Sequence, residues 1–238
     1  MEYFENTRRD SVTPSGNSQI SPKMMRFGNR FAEERAELVM HLRQKGISDE
    51  RLLHAISVVE RHRFVSPLFV NRSYEDSALP ISNSQTISQP FTVAIMTECL
   101  QVKQGEKILE VGTGSGYQAA ILFEMGAKVF TIERHMDLFV ETQKRFASLG
   151  YDIASKCGDG TLGWKEFSPF DKVIVTAGAP DVPDSLLQQL KDGGMMVIPI
   201  GSLEVQNLHV IRRVNDTFEA KTVGDFKFVP LIGRKGWK

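Results

Sequence analysis

Residues 108–120 read ILEVGTGSGYQAA. An apolar, β-branched run such as ILEV forms a strand buried on both faces of a sheet. It leads into glycines at 112, 114 and 116 and then into the helix-like YQAAILFEM. Glycines so placed let the backbone turn sharply from strand to helix and let a ligand approach the main chain closely. This unit commits the chain to an α/β fold. The sequence beyond it keeps the same rhythm: KILEVG, KVFTIE, DKVIVTA and MMVIPIG are strand-like, and YQAAILFEM, the segment 136–149 and SLLQQL are helix-like. Alternation of this kind predicts a doubly wound, mostly parallel sheet covered by helices on both sides. NLHVIRRV and FEAKTVGDFKFVPL have no helix between them, which predicts an antiparallel pair closing one edge.

The 238 residues, 41% of them apolar, suffice for one sizeable core. Residues 1–23 are rich in Asn, Ser, Thr and Pro without apolar periodicity, and are expected to form a flexible tail. The remainder, 24–238, is expected to fold as one domain, with a small helical N-terminal region at 24–78 and a core at 79–238. In the helical region Phe31, Leu38 and Leu42 fall at helical spacing, Gly46 marks a stop, and Ser48 is predicted to cap the next helix. Lys+Arg and Asp+Glu both total 29, so no net field draws the chain to nucleic acid or an anionic membrane. Cys99 and Cys157 lie far apart without ligand spacing, and the five histidines are scattered, so no metal site is expected. No apolar run is long enough to span a bilayer, and MEYFENTRRDS is too polar for a signal peptide. The expectation is a cytoplasmic monomer without nucleic-acid or membrane partners.

The glycine spacing narrows the ligand. A dinucleotide turn needs G-x-G-x-x-G, but the third position after Gly114 is Tyr117, which speaks against an NAD-dependent dehydrogenase. The pattern is instead Gly112-Thr113-Gly114-Ser115-Gly116, preceded by Glu110. It resembles the first motif of S-adenosylmethionine-dependent methyltransferases with a Rossmann-like fold. Glu133 ends the next strand, 21 residues past Gly112, where a carboxylate can accept from ribose hydroxyls and would repel a 2′-phosphate. One strand later, Gly158 and Asp159 occupy the place where such methyltransferases commonly set an acid near the adenine amino group. Taken alone, Glu133 is also consistent with a surface acid and Asp159 with a turn residue.

On the acceptor side, residues 84–90 read SQTISQP, rich in hydroxyls and amides and without acid or base. LPISNSQTISQPFTVAIMTE (79–98), ILEVGTGSGYQAA, GDGTLGW (158–164), PFDKVIVTAGAP (169–180) and FVPL (228–231) together resemble the protein-L-isoaspartate (D-aspartate) O-methyltransferase family. The resemblance spans roughly 30–231. It implies S-adenosyl-L-methionine as cofactor and isoaspartyl proteins and peptides as substrates, methylated for repair on the α-carboxylate. It also implies Ser88 as the active residue, with Gln85 and Thr86 beside it at the substrate. Such a nucleophile is already ionised at neutral pH, so the absence of a base fits the chemistry. Trp164 is expected to pack near the cofactor end of the sheet. Two departures stand out: Ser82 and Ser84 occupy places where most relatives carry glycine, and Glu60 stands where they carry proline. Rival readings are a methyltransferase of the same fold acting on a small-molecule carboxylate or an amine, and a non-catalytic module that binds the cofactor.

Overall fold

The computed structural model describes residues 22–238. Of the expected tail, 1–21 lies outside the described residues and its last two residues open the first helix. In chain order the elements are α1 (Pro22–Gln44), α2 (Glu50–Val58), β1 (Leu79–Pro80), β2 (Thr86–Ile87) and α3 (Pro90–Leu100). Then follow β3 (Lys107–Val111), α4 (Tyr117–Glu124), β4 (Lys128–Glu133), α5 (Met136–Leu149) and β5 (Ala154–Cys157). The chain ends with β6 (Phe170–Val175), α6 (Asp184–Leu187), β7 (Leu190–Gly201), β8 (Gln206–Val214) and β9 (Thr217–Phe226).

Among the described residues β3 to β9 form one sheet in the order β5-β4-β3-β6-β7-β8-β9. The strands from β5 across to β7 run parallel, and β8 and β9 add antiparallel at the far edge. The doubly wound reading holds. Successive side chains of a strand point to opposite faces, and the core divides accordingly. Ile108, Ile174 and Val197 face one side, in the same cluster as Leu38, Leu42, Leu52 and Ile56 of the N-terminal helices. Leu109, Val111, Val173, Val175, Met196 and Ile198 build the cluster on the other side. Each such buried side chain contributes on the order of 2 kcal/mol, so the helical region is packed into the core of the sheet.

Three local readings change. The cap of α2 is Asp49, whose carboxylate accepts from the backbone N–H groups of Arg51 and Leu52. Ser48 is held elsewhere: its N–H and hydroxyl both donate to Glu98, at 2.6 and 3.1 Å. Strand β5 went unread in the sequence because ASKC carries no apolar pattern, and it is only half-buried at the sheet edge. The SLLQQL helix is just one turn, Asp184–Leu187. Pro90 opens α3 as expected, supplying a fixed φ where no N–H partner is needed.

Trp164 also sits elsewhere than expected. Its ring packs edge-on against Phe130 and Phe167, with Phe130 in turn edge-on to Phe170, the first residue of β6. That aromatic cluster lies toward the strand starts, away from the glycine turn.

Candidate active site

The strand order reverses beside β3: β4 and β5 follow on one side and β6 on the other. Crevices at such a switch point, beyond the carboxyl ends of parallel strands, are where open α/β sheets bind ligands. A cavity opens there, walled by Val111 to Ser115, by Ile132 to His135, and by Thr176 and Ala177 after β6. Gly112 has φ +99°, and a side chain there would collide with the Thr176 hydroxyl. That hydroxyl donates to the carbonyls of Val111 and Gly112 at 3.1 and 2.6 Å, tying β6 to the turn. Gly116 has φ +88°, and a Cβ would enter the ring of Phe146. The turn is therefore bare backbone on its inner side because its outer side is fully packed.

Glu133 lines the cavity and also organises the turn. Its Oε2 accepts from the Gly114 N–H and its Oε1 from the His135 N–H, both at 2.9 Å. Each carboxylate oxygen accepts more than one hydrogen bond, so Glu133 retains capacity for hydroxyls of a ligand. On the far side of the loop the Thr142 hydroxyl donates to the Gly114 carbonyl at 2.8 Å. The residues present fit the ribose of a nucleoside cofactor: open backbone, an acid at the neighbouring strand end, and apolar walls.

Other residues expected at the cofactor stand behind the cavity wall. Glu110 is fully buried in the middle of β3, where it takes the Thr131 hydroxyl at 2.5 Å. Thr131 in turn meets the hydroxyl of Thr113, which does line the cavity, at 2.6 Å. Burial pushes the Glu110 carboxyl up to about 8, a rise the charge of Glu133 adds to and the Thr131 bond opposes. Gly158 and Asp159 follow β5 and do not border the cavity, although Gly160 does. Asp159 accepts from the chain on both oxygens, on one from the N–H and hydroxyl of Thr161 and on the other from the Arg234 N–H.

The segment expected at the acceptor is an antiparallel ribbon in which β1 pairs with β2. Its outgoing arm puts Gln85, Thr86, Ile87 and Ser88 on the cavity. Among the described residues no protein group bonds the Ser88 hydroxyl, although its carbonyl is taken by Arg61. At the ribbon's tip Asn83 and Ser84 adopt φ of 58° and 55°. One of the two serines at glycine-like places, Ser84, thus occupies left-handed backbone, whereas Ser82 does not and instead donates to Glu141 at 3.1 Å. The FVPL segment closes the site, with Val229, Pro230 and Leu231 on the wall and Pro230 bridged to Gly178. The titratable lining residues, Tyr117, Glu133, Arg134 and His135, all come from the cofactor walls and none from the ribbon. Thr176, Tyr117, Gln118 and His135 were not singled out in the sequence: Thr176 comes from a separate strand end, and Tyr117, Gln118 and His135 lie next to the motif residues without a spacing that marks which of them meets the cavity.

A parallel sheet with a bare G-x-G-x-G turn at its switch point and an acid at the next strand end defines the class of S-adenosylmethionine-dependent methyltransferases. Comparison with known proteins resolves the class further. The family model described as Protein-L-isoaspartate(D-aspartate) O-methyltransferase matches residues 33–236. The chain is 49% identical over 209 residues to the protein-L-isoaspartate O-methyltransferase of Dictyoglomus thermophilum, covering 87% of this chain and 95% of that one. It is 50% identical over 209 residues to that of Chlorobaculum tepidum, covering 87% and 98%. Among solved structures, a protein-L-isoaspartate O-methyltransferase superposes with a TM-score of 0.77 at 28% identity, covering 85% of this chain and 67% of that one. A Plasmodium falciparum protein described as the same enzyme, in complex with S-adenosyl-L-homocysteine, superposes at 0.73 with 25% identity, covering 83% and 98%. The chain belongs to the protein-L-isoaspartate (D-aspartate) O-methyltransferase family.

Proposed function

We propose that this chain repairs damaged proteins by methylating the α-carboxylate of L-isoaspartyl residues, with Ser88 as the residue that holds that carboxylate. The observation that carries the reading is Ser88 itself: it lines the same cavity as the glycine turn, and no protein group bonds its hydroxyl among the described residues. S-adenosylmethionine supplies, when bound, a methyl group made electrophilic by a sulfonium.

The chain's own residues have to bring a carboxylate to that methyl and keep it in line. A carboxylate is ionised at neutral pH, so no proton need be removed, in accord with a ribbon that offers hydroxyls and amides but no base. The Ser88 hydroxyl donates to one carboxylate oxygen and leaves the other to attack. Gln85 and Thr86, on the same arm of the ribbon, flank the acceptor. Gly112, Thr113, Gly114 and Gly116 form the bare wall against which the cofactor lies, and Glu133 takes its ribose hydroxyls. Glu110 supports that wall through Thr131 and Thr113. Gly158 and Asp159 shape the turn leading to Gly160, with Asp159 fastening the C-terminal segment to it. Alignment of this kind accounts for several kcal/mol of barrier lowering in general.

The ester product has a better leaving group than the acid, so the neighbouring backbone amide closes a succinimide without further catalysis, and hydrolysis of that ring returns some normal aspartate. Zero formal net charge supports a protein acting on polypeptides rather than on nucleic acid or an anionic membrane. Among the described residues no helix is long and apolar enough to cross a membrane.

The test uses two peptides of one sequence, one containing isoaspartate and one aspartate, each incubated with the protein and methyl-labelled S-adenosylmethionine. Base-labile label on the isoaspartyl peptide alone is the expected result. Cofactor binding with neither peptide labelled would overturn the repair function and leave a methyltransferase with another acceptor, such as a small-molecule carboxylate.

A further inference from the structure

Arg61 is completely buried, yet among the described residues no carboxylate lies within ion-pair distance of it. The nearby acid, Asp76, is engaged by Lys45, by His41 and by the Phe91 N–H. Burying a cation without a counter-charge is costly, and an apolar side chain of similar volume would fill the same space at lower cost. The guanidinium is instead spent on backbone. Its Nε donates to the Ser73 carbonyl and its Nη2 to the Ser88 carbonyl, both at 2.8 Å. Its carbon stands 4.8 Å from the centre of the Tyr117 ring. Tyr117 is the first residue of α4, directly after the glycine turn, and it borders the same cavity as Ser88. Nη1 is buried with no partner.

We infer that Arg61 is a positioning residue for methyl transfer: through the Ser88 carbonyl and the Tyr117 ring it fixes the acceptor ribbon relative to the cofactor turn. The inference rests on Ser88 holding the acceptor, as proposed above. A guanidinium pinning the Ser88 carbonyl restrains the Ser88 backbone and so the place of its Cβ, which limits the positions the hydroxyl can take to the staggered rotamers about that bond. The ribbon's apolar residues Leu79 and Ile87 are buried in the core cluster, but its polar ties are few. It is a pair of two-residue strands, Thr86 is exposed, and the link from its tip to α5 is the single exposed bond from Ser82 to Glu141. The planar fork of an arginine serves two carbonyls and an aromatic face at once, whereas a lysine ammonium is a point donor. The residue is thus built for geometry, not only for charge.

The experiment is a double-mutant cycle between Arg61→Lys and Ser88→Ala, with Arg61→Met as a second, uncharged probe. The readouts are kcat and KM for an isoaspartyl peptide, S-adenosylhomocysteine affinity by calorimetry, and the thermal midpoint. A misplacement of about 1 Å can cost as much as a hundredfold in rate. Arg61→Lys is therefore expected to lower kcat by roughly tenfold while cofactor affinity changes by less than about threefold. In the Ser88→Ala background the same substitution is expected to cost less than about twofold, because the group being positioned is gone. Arg61→Met, if it folds, is expected to lose more than Arg61→Lys. Equal losses in both backgrounds, or a fall in cofactor affinity parallel to kcat, would reduce Arg61 to a stabilising residue and overturn the inference. Full activity of Ser88→Ala alone would remove the role of Ser88 on which the inference depends, while unchanged activity of Arg61→Lys with an impaired Ser88→Ala would sink the inference and spare that role.

Discussion

Replacing Glu110 with glutamine isolates the energetic cost of keeping an acid inside the sheet. In the native state burial pushes this carboxyl up to about 8 from a reference of 4.5. Below pH 4.5 both the folded and the unfolded states hold the proton, and the group takes nothing from stability. As pH rises above 4.5 the unfolded chain releases the proton and the native state does not, so stability declines with pH until the native carboxyl ionises near 8. The full displacement converts to about 5 kcal/mol, and the portion between pH 6 and 8 to about 2 kcal/mol. Glutamine keeps the shape and an oxygen to accept the Thr131 hydroxyl, but it does not titrate. Unfolding free energies from urea titration at intervals from pH 5 to 9 are expected to converge for the two proteins at the acid end. They should separate in favour of Glu110→Gln by about 2 kcal/mol from pH 6 to 8, with the titration of every other group cancelling in the difference. Parallel curves would mean that Glu110 is ionised in the native state, and the account of a neutral Glu110–Thr131–Thr113 chain behind the cofactor wall would be wrong.

Two further substitutions test the turn and the ribbon. Gly116→Ala places a Cβ about 2.6 Å from the Phe146 ring at φ +88°, and the combined overpacking and backbone strain is expected to cost about 2–4 kcal/mol of stability and to weaken S-adenosylhomocysteine binding; a wild-type melting point and affinity would contradict the packed outer face. Ser84 sits at φ 55°, so Ser84→Gly is expected to relieve about 1 kcal/mol of strain, offset in part by the greater freedom of glycine in the unfolded chain; a clear drop in the denaturation midpoint would show that the left-handed tip is not the conformation adopted in solution.

How far the sequence disclosed this molecule depends on the range of the interaction. ILEVGTGSGYQAA was legible because strand burial, the turn and the helix start are all written within a dozen residues, and Pro90 was legible because its consequence is local. Asp49 displaced Ser48 as the cap because Ser48 is claimed by Glu98, fifty residues away. Trp164 went astray for the same reason: its partner Phe130 comes from a separate strand, β4. Asp159 is placed after β5 as the sequence implies, while its bonds to Thr161 and to the backbone of Arg234 had no sequence signal, the latter coming from 75 residues away. Thr176 on the cavity wall had no sequence signal at all, since its role is set by meeting the Gly112 carbonyl across the sheet.

The same distinction explains how the site is divided. The cofactor wall is assembled from strand ends, and its precision comes from the sheet: Thr176, Glu133 and Thr142 each clamp a different point of the glycine turn. The ribbon that carries Ser88 has no such strand pairing to the sheet, since among the described residues β1 and β2 pair only with each other, although Leu79 and Ile87 are buried in the core cluster. Its polar anchorage comes from the N-terminal region, where Arg61 donates to the Ser88 carbonyl and Asp76 accepts from the Phe91 N–H at the start of α3. That region shares its apolar cluster with β3 and β7. A carboxylate acceptor needs no base but does need alignment, so under the proposed function the N-terminal region contributes to the chemistry as the glycine turn does: through Arg61 it ties down a cavity wall that is not built from the seven-stranded sheet.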